Sequence, residues 1–163
     1  MNEIFNKIKF ILRKPKVVII ANDSRRMLRE MVSKILKQHF RAGNEILIFE
    51  ASSSELEKFQ FFIQKSPLSV LVSTEGWVEI REKKVGFKKT TFGFEEGVDF
   101  QATDIKLNGN TNFKINYQGK VVPVWLKGVC DKEKILAGLA AAAVGTIFGL
   151  NLIKISQALR EIQ

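Results

Sequence analysis

Residues 17–21 (VVIIA), 45–51 (EILIFEA) and 66–74 (SPLSVLVST) read as three strands whose apolar positions show little alternation. Strands that are apolar on both sides belong to a parallel sheet covered on both faces, and the segments between them supply the cover. Ser24 to Phe40 places Met27, Leu28, Met31, Ile35 and Leu36 at helical intervals, with Asp23 or Ser24 as the capping residue. SSSELEKFQFFIQ begins a second helix, in which Ser52 or Ser53 and a following glutamate form the start signal.

Beyond Glu75 the period changes from helical and buried to short and alternating. WVEIREKK, KKTTFGF, FQATDIKL, NFKINYQ and KVVPVWL read as strands, the last two joined through Gln118-Gly119. The expected fold class is therefore α/β: a parallel three-stranded half of P-loop type continued by a mainly antiparallel strand region, with helices packed on the sheet. Asp131 is placed to cap a helix whose stretch ILAGLAAAAVGTIFGLNLI, 135–153, is apolar for long enough to suggest a membrane span. Its alanines and glycines suit a helix pressed against a sheet better than one facing lipid. Gly149 should end it, and NLIKISQALREI should form a short amphipathic helix after it.

At the other end, NEIFNKIKFILRK spaces Ile4, Phe5, Ile8, Ile11 and Leu12 helically among Lys7, Lys9, Arg13 and Lys14, and Pro15 follows. The chain divides on this pattern into a basic amphipathic helix, 1–15, and a domain, 16–163. Such a helix can pack on the domain, or make peripheral contact with an acidic membrane through residues 2–14. The 163 residues, 45% of them hydrophobic and 26% charged, are enough for one domain with a core of its own. A single cysteine, Cys130, forms no internal disulfide, and with no signal peptide apparent the expected setting is cytoplasmic, with membrane association through the first helix as a variant of it. One histidine, His39, far from that cysteine makes no metal pattern, so no metal site is expected.

The formal charge of +9 favours anionic partners, although a basic solvated surface accounts for it equally well. One place gathers the cations against a helix start: VVIIANDSRRMLREMV, residues 17–32. Strand, short polar loop and basic helix form the frame of a phosphate loop, yet the loop contains neither glycine nor lysine. Asn22, Ser24, Arg25, Arg26 and Arg29 nevertheless offer amide, hydroxyl and guanidinium donors where the helix dipole favours an anion, and they are the phosphate-binding candidates. No nucleic-acid-binding motif occurs, and Phe59, Phe61 and Phe62 read as core, which argues against specific nucleic-acid recognition.

Three pieces together resemble the Mur ligases, the ATP-dependent enzymes of peptidoglycan assembly. KPKVVIIANDSRRMLREMV is similar to their strand, phosphate loop and first helix. FGFEEGVDFQATDIKLNGNTNFKINYQGKVVPVWLKG and KILAGLAAAAVGTIFGLNLIKISQALREI are similar to the end of their central domain, most of all in the member that adds D-alanyl-D-alanine. The resemblance implies acyl phosphorylation by ATP with magnesium, followed by attack of an amine. It also implies where the chemistry has been substituted. The family's loop glycines fall on Ala21 and Ser24, its lysine on Arg25, and its magnesium-binding threonine on Arg26. A histidine-asparagine pair falls on Glu133 and Lys134, and a further asparagine on Ala137; these help hold the nucleotide in the family. The loop with a histidine after the third strand and the segment with a modified lysine have no counterpart in SVLVSTEGWVEIREKKVGF, and the chain stops at Gln163 before the domain that brings the amine. Glu50 is the preserved candidate, matching an acid used near magnesium; an acid at a strand end can also simply face water or cap the next helix.

The expectation is a catalytically degenerate Mur-ligase-like domain acting as a binding or interaction module linked to peptidoglycan precursor synthesis. Two alternatives stand beside it: a residual ATP-dependent ligase using Arg25 and Glu50, with ATP and magnesium as cofactors only in that case, and an anion-binding protein using the basic helix start. The partners expected are another Mur-type ligase subunit or a second copy in a homodimer, with an anionic ligand.

Overall fold

A computed structural model describes residues 2–21, 27–39, 46–74 and 86–162. Among them the chain forms strands β1 (Lys16–Ala21), β2 (Ile46–Ala51), β3 (Ser69–Thr74), β4 (Phe87–Gly93), β5 (Phe100–Asn108), β6 (Asn110–Tyr117) and β7 (Lys120–Leu126). These make a single sheet in the order β2-β1-β3-β4-β5-β6-β7. The helices are α1 (Asn2–Arg13), α2 (Met27–His39), α3 (Gln60–Lys65), α4 (Lys132–Ile147) and α5 (Leu152–Glu161); a 3-10 turn, Ser53–Phe59, leads into α3. The fold is α/β with a mixed seven-stranded sheet, as the period analysis implies. The strand expected in WVEIREKK and the first residues of the helix expected from Ser24 lie outside the described residues.

β1 pairs in parallel with both β2 and β3, and Val17 to Ala21 are fully buried. Side chains alternate across a strand, so this one strand feeds two cores. Val18 and Ile20, with Val70 and Val72 of β3, meet Leu28, Met31, Val32, Ile35 and Leu36 of α2 and the alanines of α4. Val17, Ile19 and Ala21, with Leu71, meet Leu56, Ile63 and Phe10 on the opposite face. That second core is largely aromatic. Phe62 stands 4.9 Å from Phe10, edge to face, and 5.3 Å from Phe49, and Phe59 is 5.0 Å from Phe49. Phe59, Phe61 and Phe62 are thus partly buried and packed against this core.

The parallel section runs further than three strands. β3 pairs with β4, and β4 with β5, in parallel; only β5-β6 and β6-β7 are antiparallel. A short connection between alternating strands ordinarily signals a hairpin, but residues 94–99 step sideways without reversing the chain. Asp99 holds the step: its carboxylate accepts the Thr91 N–H at 2.8 Å and the hydroxyls of Thr91 and Thr90 at 3.1 and 3.2 Å. Consequently β5 overlaps only Phe92 and Gly93 of β4 and continues past them. The seven residues from Ala102 to Asn108 extend roughly 20 Å beyond the end of β4. The β6-β7 turn is the expected one, with Gln118 at φ 48° and Gly119 at 75°, the two left-handed residues of a tight hairpin. Pro123 lies on β7, an edge strand where its missing N–H costs little.

α4 carries the alanine run, and Ala137 to Gly145 are all buried between α2, α5 and the sheet. No helix among the described residues is long and apolar enough to cross a membrane. Asp131 caps α4 through the Lys134 N–H at 2.9 Å. Gly149, at φ 93°, ends it: its N–H reaches the Thr146 carbonyl and the Leu150 N–H reaches that of Gly145, the paired bonds of a left-handed helix stop. Asn151 then caps α5 through the Ile153 N–H at 2.8 Å.

Two glycines of α4 separate backbone preference from packing. A Cβ on Gly138 would lie 3.5 Å from the Phe113 ring, in ordinary contact, whereas one on Gly145 would lie 3.0 Å from Ile155 and 3.3 Å from Leu150. Gly138→Ala should raise the stability by about 0.5–1 kcal/mol through helix propensity. Gly145→Leu should lower it by about 1–3 kcal/mol through overpacking. Urea denaturation of the two variants checks both signs.

Candidate functional site

α2 and α3 lie on opposite faces of the sheet, so the chain changes face between β1 and β3. Ligands of open α/β sheets settle in the crevice outside the carboxyl ends of the strands at such a change. The residues there are Ala21, ending β1, with Ala51 and Ser73 as its register partners, and Glu50 beside Ile20. The overhanging part of β5, with β6 and β7, stands to one side of this end of the sheet.

Glu50 faces α2, on the side of β2 that carries Ile46 and Ile48. Its Oε1 accepts the backbone N–H of Arg29 at 2.8 Å. Arg29 lies in the first turn of the described helix, where amides have no partner of their own and the dipole attracts negative charge. A glutamate closing one strand is thereby an anchor for the helix that precedes it. Glu50 thus does not cap the next helix, as the sequence reading allowed, but bonds to the earlier one.

The next turn has its own acid. Glu55 Oε2 accepts both the N–H of Ser52 at 3.1 Å and its hydroxyl at 2.9 Å, and these bonds, assisted by Lys58, hold its carboxyl below the usual carboxylate range. Ser52 with Glu55 is the start signal expected from the sequence. Ser73 was not singled out there. It is 1% exposed, and its hydroxyl oxygen has no hydrogen-bond partner among the described residues. The available signal was a serine at the end of the otherwise apolar SVLVS, beside a polar loop.

Of the phosphate-binding candidates, only Arg29 falls within the described residues, and its amide is committed to Glu50. Asn22, Ser24, Arg25 and Arg26 lie outside them, as does Asp23. Ala21 is regular strand, paired on both sides with its Cβ in the aromatic core, so its methyl group costs nothing where a glycine was matched. Ala137 is buried in the α2-α4 packing, and Glu133 is exposed. No group of three potential metal-ligating side chains occurs among the described residues. A cavity of about 500 Å³ lies elsewhere, between the β6-β7 turn and the α4-α5 turn, lined by Tyr117, Lys120, Val122, Thr146 and Leu150.

No protein-family profile matches the chain. The UDP-N-acetylmuramate–L-alanine ligase of Chlorobaculum parvum is 32% identical over 103 residues, covering 61% of this chain and 22% of that protein. The MurF ligase of Thermotoga maritima, solved in complex with ADP, superposes with a TM-score of 0.68 at 16% identity, over 98% of this chain and 52% of that one. The UDP-N-acetylmuramate–alanine ligase MurC of the same organism superposes with a TM-score of 0.63 at 15% identity, over 98% and 47%. The chain thus spans about a fifth of the curated relative and about half of each solved structure. At these identities the superpositions establish the fold.

Two outcomes follow for the site. Glu50→Ala should cost about 1–2 kcal/mol of stability, because a helix-start amide loses a charged acceptor, and Glu50→Gln should recover part of it through its carbonyl oxygen; chemical denaturation reads both. Glu55 should titrate below an ordinary glutamate in an NMR pH series. Since its folded pKa is the lower one, its contribution to stability is present above the unfolded value and is lost as pH falls through the folded value.

Proposed function

We propose that this chain, a relative of the Mur ligases in sequence and fold, acts in peptidoglycan precursor synthesis as a binding domain with no ligase chemistry of its own. The observation that carries the reading is the bond from Arg29 N–H to Glu50. One amide at the described start of the helix is supplied with an anion by the chain itself, and a phosphate brought beside it meets that carboxylate. The matched loop positions agree with this. Arg26 stands where the family resemblance places a magnesium-binding hydroxyl, and a guanidinium has no oxygen to give a metal. Arg25 can pair with an anion but does not restore that ligand.

The names of the curated relative and of the MurC structure share UDP-N-acetylmuramate as substrate. The ligand class we assign is therefore the UDP-muramoyl part, with a Mur-type ligase subunit or a second copy of this chain as the macromolecular partner. The competing reading, a working amide-forming ligase, needs ATP held with magnesium by Arg25 and Glu50.

Calorimetric titration of the purified chain with ATP and ADP, with and without magnesium, separates the two, together with a phosphate-release assay in the presence of UDP-muramoyl peptides. The expected result is no magnesium-dependent nucleotide binding and no release above buffer, with the UDP-muramoyl peptide binding alone. Magnesium-dependent ATP turnover that Glu50→Ala abolishes would overturn the proposal.

A further inference from the structure

α1 turns the wrong way round for a helix of a folded domain. Phe10 is 5% exposed and packs against Phe61 and Phe62, Lys7 lies 5.5 Å over the Phe61 ring, and the Lys14 N–H closes the helix on Phe10. Pro15 is then tied down by the buried Ser66 hydroxyl, which donates to its carbonyl at 2.8 Å. The remaining apolar residues, Ile4, Phe5, Ile8, Ile11 and Leu12, are all exposed, from 45% at Ile11 to 77% at Leu12. At about 100° per residue these five form one stripe centred opposite Phe10, so the apolar face points directly away from the body that anchors the helix.

We propose that α1 is a docking helix for an anionic lipid surface, laid flat with this stripe among the acyl chains. The charges choose the occupant. Lys9 and Arg13 flank the stripe on one side, with Lys14 just beyond the helix; Lys7 lies on the other, paired with Glu3, the one acid of the segment, at 2.8 Å. Apolar residues on one face with cations at its margins match the boundary between acyl chains and acidic headgroups. A second copy would bring an identical cationic margin against the first, and like charges across an apolar seam oppose that pairing. The rest of the chain supports the same choice, since its +9 charge adds attraction toward an acidic surface. The helix needs no rearrangement to dock, because its face is already presented and its seat is already made.

The test uses the full chain and vesicles of phosphatidylcholine with or without phosphatidylglycerol, read by flotation. The expected result is binding only to the anionic vesicles, weakened by salt. Phe5→Ser with Leu12→Ser should weaken it about tenfold or more, and Lys9→Glu several-fold, with thermal unfolding unchanged because these side chains are exposed. Phe5→Trp gives an independent reading: its fluorescence should shift to the blue with anionic vesicles and stay fixed with neutral ones. Absence of binding, or binding that the apolar double variant leaves intact, would overturn the proposal. So would self-association in ultracentrifugation that the same double variant abolishes without vesicle binding, which would assign the face to a second copy.

Discussion

The two-sided burial of β1 is the constraint on which the rest of the structure depends. A strand with five consecutive residues at zero exposure needs a neighbour on each edge and a layer on each face. β2 and β3 supply the edges, α2 with α4 one layer, and α3 with Phe10 the other. Because the layers are unlike, aliphatic and alanine-rich on one side and phenylalanine-rich on the other, the strand cannot be turned over without putting Ile19 and Ala21 where Val18 and Ile20 fit. The alanine run of α4 follows from the same demand. α2 and α4 share one face of the sheet, and small side chains let the two helices and the strands approach together.

That arrangement brings the start of α2 to the carboxyl ends of the parallel strands, and there the chain resolves its electrostatics internally. The helix-start amide of Arg29 needs an acceptor, and Glu50, carried to the same level by its pairing with Ile20, provides it. One bond thereby ties the described start of α2 to the end of β2. Ser73, buried on the opposite face of the same strand ends, has no hydrogen-bond partner for its hydroxyl among the described residues.

What the sequence made legible was whatever rests on period and on local chemistry. The buried strands, the caps at Asp131 and Ser52, the stop at Gly149 and the hairpin at Gln118-Gly119 are each encoded within a few residues, and each is present. The sideways step at 94–99 was not legible, because its cause is Asp99 filling donors on the free edge of β4, a contact that exists only once the strands are side by side. The site was half legible. Glu50 stood out as an acid closing a strand, but whether it meets metal, water or a helix depends on the register of β2 against β1, and a shift of one residue would have turned it to the other face.

The two basic amphipathic helices show the same limit from the other side. α1 and α2 both place bulky apolar residues at helical intervals among lysines and arginines, and period alone gives them the same fate. α2 turns Leu28, Met31, Val32, Ile35 and Leu36 into the core. α1 meets a face lined by Phe49, Phe59, Phe61 and Phe62, and Phe10 packs into it from the polar side of the helix. The stripe of Ile4, Ile8 and Leu12 stays outward even though a cavity of about 290 Å³, lined by Lys9, Phe10, Arg13, Leu47, Phe49 and Phe62, is left between α1 and this face. An exposed apolar face of this kind is open to a partner surface, and its charged margins decide which surface it suits.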